Sequence, residues 1–86
     1  MKKIFKYKLK LVDQQKVVLP AQYQMLSVQE QDGKLVLWAM VPMNTPDTST
    51  QIRIIGTGNL IEGDPLLDFI DTVQMPNGLV WHVFEE

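Results

Sequence analysis

Apolar and charged residues alternate strictly near the start of the chain. In IFKYKLKL, at residues 4–11, the aromatic and leucine side chains point to one side and three lysines to the other. A period of two residues is typical of a half-buried β-strand. Lysines also suit the edge of a sheet, where charge discourages pairing with another chain. We therefore predict a first strand over residues 4–11, with its apolar side on the core.

The next strand is predicted at VVLP, residues 17–20, after a turn formed by VDQQK at residues 12–16. Pro20 ends this strand because its nitrogen has no hydrogen to donate to a neighbouring strand. MNTPDTST, at residues 43–50, is polar and contains a proline, so we expect a mobile loop there. QIRII, at residues 51–55, predicts a short strand that ends at Gly-Thr-Gly-Asn.

Two segments of the chain repeat one pattern: VQEQDGKLVLW at residues 28–38 and VQMPNGLVWHV at residues 73–83. Each has Val-Gln, then Asp-Gly or Asn-Gly, then an apolar run with a tryptophan. Both dipeptides favour turns with positive φ, so we predict hairpins turning at 32–33 and 77–78. Lys34 has no counterpart in the second segment, which a bulge or a shifted register would explain. The repeat fits either a duplication or convergence on a good hairpin sequence, and we favour convergence.

The whole pattern predicts an all-β protein. In IEGDPLLD, residues 61–68, a glycine and a proline favour an irregular crossing over a helix. About seven short β segments at spacings of roughly 8 to 12 residues are typical of sandwiches and small barrels. We predict one domain over residues 1–86, a small β-sandwich or partly open barrel of about seven short antiparallel strands. The predicted core residues are Phe5, Tyr7, Leu9, Val18, Leu26, Val28, Leu35, Leu37, Ile52, Ile54, Val73, Leu79, Trp81 and Val83.

Length and composition narrow the class of protein. The chain has 86 residues and no cysteine, which excludes disulfide scaffolds and thiolate chemistry and fits a reducing cytoplasm. No apolar run approaches the 18 residues of a transmembrane helix. Since so short a chain buries only about 60% of its unfolded surface, a ligand site belongs on the surface or between subunits. We therefore expect a homo-oligomer.

Charge is distributed unevenly along the sequence. Residues 1–16 hold six lysines and one aspartate, a balance of +5, whereas residues 17–86 have a balance of −7. A positive edge on an acidic body suits one anionic ligand or an acidic protein surface. It does not suit duplex DNA, which needs a broad basic surface. Lys6, Lys8 and Lys10, together with Met40, are the candidate protein interface.

The segment RIIGTGN is the candidate ligand site. Gly56, Thr57 and Gly58 follow a strand, and exposed amides in such a turn can hold an anion. Arg53 lies in that strand, and an arginine can hold a phosphate with two parallel hydrogen bonds. A tight turn or bulge that requires glycine explains the same residues.

Aromatic residues and the single histidine complete the candidate ligand contacts. Trp38 and Tyr23 could stack on a base, although aromatic residues on short strands also serve as core. His82 is expected in a structural or surface role, or as a ligand contact, because no nucleophile or orienting carboxylate lies near it in sequence. We predict no enzyme activity, no cofactor and no metal site.

KYKLKLVDQQ, LSVQEQDGKLVLWA, RIIGTG and the closing TVQ…LVWHVFEE together resemble a family of small, functionally uncharacterised proteins of tailed bacteriophages. The resemblance covers nearly the whole chain, apart from residues 42–50 and 59–69. A histidine often follows the Gly-Thr-Gly in that family, and this chain has Asn59 there. The departure changes the contacts available at Gly56–Gly58.

The resemblance implies a phage accessory protein made in the cytoplasm of an infected bacterium. Short phage proteins of this kind often counter host defence by binding, without catalysis. The first hypothesis is sequestration of a small anionic nucleotide, such as a cyclic immune signal, at a subunit interface. The alternatives are a protein-binding inhibitor of a host defence enzyme or nuclease, and a minor structural or assembly protein of the virion.

Overall fold

Seven antiparallel strands and no helix make up the computed structural model, which describes residues 1–86. The all-β prediction is therefore confirmed. The strands are β1 (Lys2–Leu9), β2 (Gln14–Pro20), β3 (Gln24–Gln31), β4 (Lys34–Pro42), β5 (Asp47–Gly56), β6 (Asp68–Gln74) and β7 (Val80–Glu85).

The strands form two sheets packed as a small, partly open sandwich. The three-stranded sheet has the order β1-β4-β3 and the four-stranded sheet the order β2-β5-β7-β6. At one side β3 lies against β6, whereas β1 and β2, the opposite edges, have no such contact. The Cα atoms span 40 × 32 × 16 Å, so the molecule is a slab with two broad outer faces.

A carboxylate joins the two sheets where β3 meets β6. Both strands are irregular there, with register shifts between Met25 and Ser27 and between Phe69 and Asp71. The backbone N–H of Val28 donates to Oδ2 of Asp71 over 3.0 Å. Since edge strands expose unpaired N–H groups, this side chain satisfies a donor that no neighbouring strand accepts.

Both predicted hairpins are present, and their turns differ. Asp32 and Gly33 have φ of 54° and 80°, the two positive values that a type I′ turn needs. In the second hairpin only Gly78 has positive φ, and the N–H of Met75 donates to the carbonyl of Leu79 over 2.8 Å. The proline at position 76 favours a type I turn, so the loop has three residues and ends on the glycine.

This difference in loop length explains why the two similar segments align imperfectly. Val28 pairs with Leu37 in the first hairpin, whereas Val73 pairs with Trp81 in the second. The pairing register therefore shifts by one residue, as the unmatched lysine suggested. The two hairpins also lie in different sheets.

Most of the predicted core is confirmed. Tyr7 and Trp81 are half-buried and pack against the core cluster. The other confirmed residues, each 7% exposed or less, are Leu9, Val28, Leu35, Leu37, Ile52, Ile54, Val73 and Val83.

Four core predictions are wrong, each for a local reason. Phe5 is 43% exposed because β1 is the open edge of its sheet. Val18 points outward because its neighbours Val17 and Leu19 occupy the inward positions of β2. Leu26 lies at the irregularity of β3, and Leu79 lies in the connection before β7. The buried apolar side chains that were not predicted are Val17, Leu19, Val36, Ala39 and Val41.

The segment predicted as a mobile loop is partly strand. Residues 47–50 belong to β5, and β2 pairs with them from Pro20 opposite Asp47 to Val17 opposite Thr50. The prediction was wrong there because a neighbouring strand satisfies this polar backbone, and threonine suits strands. The crossing over residues 61–67 is irregular, as predicted.

Candidate functional site

The residues predicted to hold a nucleotide lie in three different places within one chain. Trp38 is on the outer face of the three-stranded sheet, where it pairs with Lys6. Arg53 is on the opposite face of the slab, in β5 next to Phe84 of β7. Tyr23 packs against the core. A single chain therefore does not bring these three side chains together.

Arg53 already has an acidic partner. Its Nη1 lies 3.3 Å from Oε1 of Glu86, the one ion pair in the structure. The side chain is 14% exposed, and its buried Nε has no hydrogen-bond partner. Binding a phosphate through both guanidinium edges would require Glu86 to move.

The Gly-Thr-Gly segment forms a tight turn at the end of β5. The N–H of Thr57 donates to the carbonyl of Val80 over 3.3 Å, and the N–H of Asn59 donates to that of Gly56 over 3.1 Å. Gly58 has φ of 86°, which favours glycine at this position. Two of the amides thus donate to carbonyls of the protein itself. The geometry agrees with the interpretation of this segment as a tight turn.

His82 lies between two threonine hydroxyls on the outer face of the four-stranded sheet. Its Nε2 is 2.8 Å from Oγ1 of Thr57, and its Nδ1 is 3.0 Å from Oγ1 of Thr72. Strand register explains the arrangement, because His82 pairs with Ile55 in β5 and with Thr72 in β6. Each hydroxyl can donate or accept, so the ring is hydrogen-bonded on both nitrogens in either neutral tautomer.

A cleft of about 460 Å³, here called the turn cleft, opens at Thr57, the hydrogen-bond partner of this histidine. It separates the Gly-Thr-Gly turn from the loop that joins β6 and β7. Its lining contains no charged side chain, so nothing in it would neutralise a phosphate. The lining residues are Gly56, Thr57, Asn59, Gly78, Leu79, Val80 and Trp81.

A second cleft, of about 440 Å³, has both cationic and apolar walls and is here called the lysine cleft. Both sheets contribute to it, since Leu9 and Leu35 come from paired strands of one and Met75 follows β6 of the other. The lining residues are Lys8, Leu9, Lys10, Leu11, Gly33, Lys34, Leu35 and Met75.

The lysines of this cleft have no carboxylate partner. Lys8, Lys10 and Lys34 make no ion pair, because the single ion pair of the chain joins Arg53 and Glu86. The nearby Glu30 accepts the N–H of Gly33 over 2.5 Å and so closes the turn. Three ammonium groups beside an apolar floor are suited to an anion that carries a ring or a chain.

Sequence reasoning found part of this cleft and assigned it another role. Lys8 and Lys10 were predicted to contact a protein, and Lys34 was noted for the hairpin alone. The pairing of Leu9 with Leu35 brings Lys10 and Lys34 to the same end of the sheet. The alternation of β1 and the position of the first turn already indicated, from the sequence alone, that these two lysines lie close together.

Tyr23 is held inside the molecule by Glu85. Its hydroxyl donates to Oε2 of that carboxylate, which also accepts from Oγ1 of Thr50 over 2.5 Å. Burial of the phenol raises the pKa of Tyr23 above its usual value of 10.0, and the hydrogen bond to Glu85 raises it further. The ring is half-buried, and its hydroxyl is engaged by a carboxylate of its own chain.

The structure contains neither a metal-binding cluster nor a membrane-spanning helix. No group of three or more His, Asp or Glu side chains is placed to hold a metal ion. The chain contains no helix long and apolar enough to cross a membrane.

Comparison with known proteins assigns the chain to a family. The family described as "Domain of unknown function (DUF7352)" matches residues 1–86, so the chain belongs to it. No curated protein and no solved structure gave a match.

Proposed function

We propose that the protein is a phage accessory protein that binds and sequesters a small anionic nucleotide, and that the lysine cleft holds it. The observation that carries this proposal is the set of three unpaired lysines beside an apolar floor. Lys8, Lys10 and Lys34 would contact phosphate, while Leu11 and Met75 would cover part of the base. The volume of about 440 Å³ is within the usual range for small-molecule sites.

Two contributions to affinity can be weighed. An exposed ion pair contributes about 0.2–1 kcal/mol, so three lysines supply at most about 3 kcal/mol. Burial of apolar surface contributes about 25 cal/mol per Å², so a covered base adds a comparable amount. A nucleotide should therefore bind more tightly than inorganic phosphate. Because the cleft is open in one chain, a second subunit that excluded water would strengthen both contributions.

Sequestration requires binding without turnover, and the resemblance to small phage proteins supports a role against host defence. A nucleotide immune signal held by an abundant binding protein would not reach its effector. Trp38, Tyr23 and Arg53 have no part in this version of the site, which uses the lysines instead.

The experiment is a thermal-shift and calorimetric screen of cyclic di- and trinucleotides, ADP-ribose derivatives and inorganic phosphate. A ligand at 100 times its Kd should stabilise the fold by about 2.7 kcal/mol, which is several degrees for a domain of this size. The doubly substituted Lys10→Ala/Lys34→Ala protein should lose the shift. Lys16→Ala, in β2 of the other sheet, is the matched control and should keep it. No shift with any nucleotide would contradict the proposal.

The outer face of the three-stranded sheet favours the second candidate, a protein-binding inhibitor. Lys6 lies over the ring of Trp38, with Nζ 5.8 Å from the ring centroid, and Met40 is half-buried on the same face. An aromatic residue with methionine and lysine around it suits an acidic protein surface. Inhibition of a purified defence nuclease that is lost in Lys6→Glu, with no nucleotide binding, would favour this candidate.

A further inference from the structure

Of the four sheet edges in the sandwich, that of β2 is the least protected. The sheets end in β1, β3, β2 and β6, and of these β3 and β6 lie against each other. β1 carries four lysines and no acidic residue, so like charges oppose its pairing with the same strand of another copy. β2 carries one charged side chain, Lys16, beside a run of apolar residues. Its edge is therefore the one most open to a further strand.

Two hydrogen bonds at the ends of β2 show which of its backbone groups face outward. The N–H of Ile54 donates to the carbonyl of Asp13 over 3.0 Å, and the N–H of Ala21 donates to that of Pro46 over 2.8 Å. Backbone groups of a strand alternate between its two sides in an antiparallel pair. The odd-numbered residues of β2 therefore face β5, and the even-numbered ones face away from it.

The outward backbone groups of β2 have no partner within the chain. β2 pairs with β5 alone, and none of the hydrogen bonds outside the strand ladders ends on Gln14, Lys16 or Val18. All three residues are exposed. Pro20, the next even-numbered residue, presents only a carbonyl on this edge, because its nitrogen has no hydrogen. The edge thus offers a short row of N–H and C=O groups to another strand.

We propose that two copies of this chain pair antiparallel through β2, so that their four-stranded sheets become one continuous sheet. Strand addition of this kind gives the outward backbone groups of both edges their partners at once. A two-fold contact uses the same surface on both copies, so association closes at a dimer. The lysines of the lysine cleft lie outside β2, so the dimer does not depend on nucleotide binding.

Side-chain chemistry favours one register for this pairing. A two-fold axis at Lys16 would place the two lysines directly opposite each other, where like charges repel. An axis at Val18 would place Lys16 opposite Pro20 of the second copy, which has no N–H for the lysine carbonyl. With the axis at Val17, Lys16 pairs with Val18 of the second copy, and every outward N–H of β2 meets a carbonyl.

This register predicts the distances between matching residues of the two copies. The two Val17 residues form a pair without hydrogen bonds between them, in which Cα atoms are about 4.5 Å apart. Such a separation is within the range that a disulfide can bridge. The two Val18 residues are diagonal neighbours at about 7–8 Å, which a disulfide does not bridge unless the backbone moves.

Cysteine crosslinking tests this register, because the chain has no cysteine of its own. Under mild oxidation Val17→Cys should give a disulfide-linked dimer on a non-reducing gel, and Val18→Cys should give much less. Random collisions would produce the opposite order, since Val18 is 61% exposed and Val17 is 8% exposed. Crosslinking that is faster at position 18 than at position 17, or absent at 17, would overturn the proposal.

A proline substitution tests the backbone pairing itself. Val18→Pro removes an outward N–H and leaves the bonds from β2 to β5 in place, as proline on an edge strand can. Sedimentation velocity should give the wild-type chain twice the 9.9 kDa of one copy, and Val18→Pro a single copy. Val18→Thr keeps the N–H and is the matched control, which should stay dimeric. Circular dichroism checks the fold, and Lys16→Pro replaces Val18→Pro if that variant is unfolded. A wild-type chain that is monomeric at its highest attainable concentration, or a folded proline variant that is still dimeric, would overturn the proposal.

Discussion

Gly56 and the ring of Trp81 approach so closely that a methyl group fits between them only if the ring gives way. A Cβ on Gly56 would lie 3.1 Å from Cζ3 of Trp81 and 2.9 Å from Nδ2 of Asn59. The two residues are paired across β5 and β7 and face the interior of the sandwich. Packing therefore favours glycine at position 56, whereas Gly58 is favoured by its positive φ.

Substitution of Gly56 by alanine should displace the indole. The side chain of Asn59 can rotate away, but the ring has to shift within a packed end of the core, which typically costs about 1–3 kcal/mol. Near-ultraviolet circular dichroism and chemical denaturation measure the ring environment and the loss of stability. Trp81→Leu added to Gly56→Ala should recover part of that loss. An equal loss of stability from Gly56→Ala with and without the indole would contradict the packing explanation.

The histidine of β7 should not support turnover. His82 and Thr57 are within hydrogen-bond distance, as a base and nucleophile would be, but Nδ1 of the ring faces the hydroxyl of Thr72 and no carboxylate. A neutral hydroxyl does not stabilise a charged imidazolium as a buried carboxylate does. We expect cyclic nucleotides incubated with the protein to be recovered intact by chromatography. Product formation that Thr57→Val abolishes would contradict this expectation.

The sequence predicted strands, hairpins and most of the core because these depend on neighbours along the chain. The alternation over β1 and the Asp-Gly turn determine how β1 and β3 pair with β4. This pairing determines which side chains of β4 point towards the core. Val17 and Leu19 could not be assigned to the core, since all three residues of VVL are apolar. Which of them point inward depends on where β2 begins. The strand over residues 47–50 depends on pairing with β2, which local sequence does not show.

The candidate sites were harder to predict because they depend on the relation between the two sheets. Trp38 and Arg53 are 15 positions apart in sequence but lie on opposite faces of the slab. The partner of Arg53 is the final residue of the chain, and the partner of Tyr23 is Glu85. No local motif joins these pairs, so they became visible only with the fold.

Alkaline pH should destabilise the protein through Tyr23. Burial and the hydrogen bond to Glu85 raise the pKa of the phenol in the folded state, so the neutral form is the one that folding favours. This contribution is fully present below the unfolded pKa of about 10 and is lost as pH rises through the folded pKa. Burial raises the pKa of Tyr7 as well, with a smaller contribution from Asp47.

Denaturation measured from neutral to alkaline pH separates this effect from the titration of lysines, which the variants share. Tyr23→Phe should show a smaller loss of unfolding free energy above pH of about 10 than the wild-type chain, and phenolate absorbance should show a late-titrating tyrosine that the variant lacks. Tyr7→Phe is the matched control for the second tyrosine. An identical pH dependence in Tyr23→Phe and wild type would contradict the role of the half-buried phenol.

Removal of the carboxylate that joins the two sheets should loosen the seam between β3 and β6. Asp71 accepts from the N–H of Val28 over 3.0 Å, from Nε2 of Gln29 over 3.2 Å and, through Oδ1, from the N–H of Thr72 over 2.9 Å. Val28 is fully buried, so water does not readily replace the lost acceptor. Asp71→Ala should therefore cost about 1–3 kcal/mol, the usual penalty for an unsatisfied buried donor. Asp71→Asn keeps one oxygen acceptor and should lose less stability.

Amide hydrogen exchange locates the effect of removing this carboxylate. The N–H of Val28 should exchange faster in Asp71→Ala. The exchange of the Leu37 N–H, in the centre of the same sheet, should change only as far as global stability does. Unchanged protection at Val28 would show that the contact with Asp71 does not hold the seam.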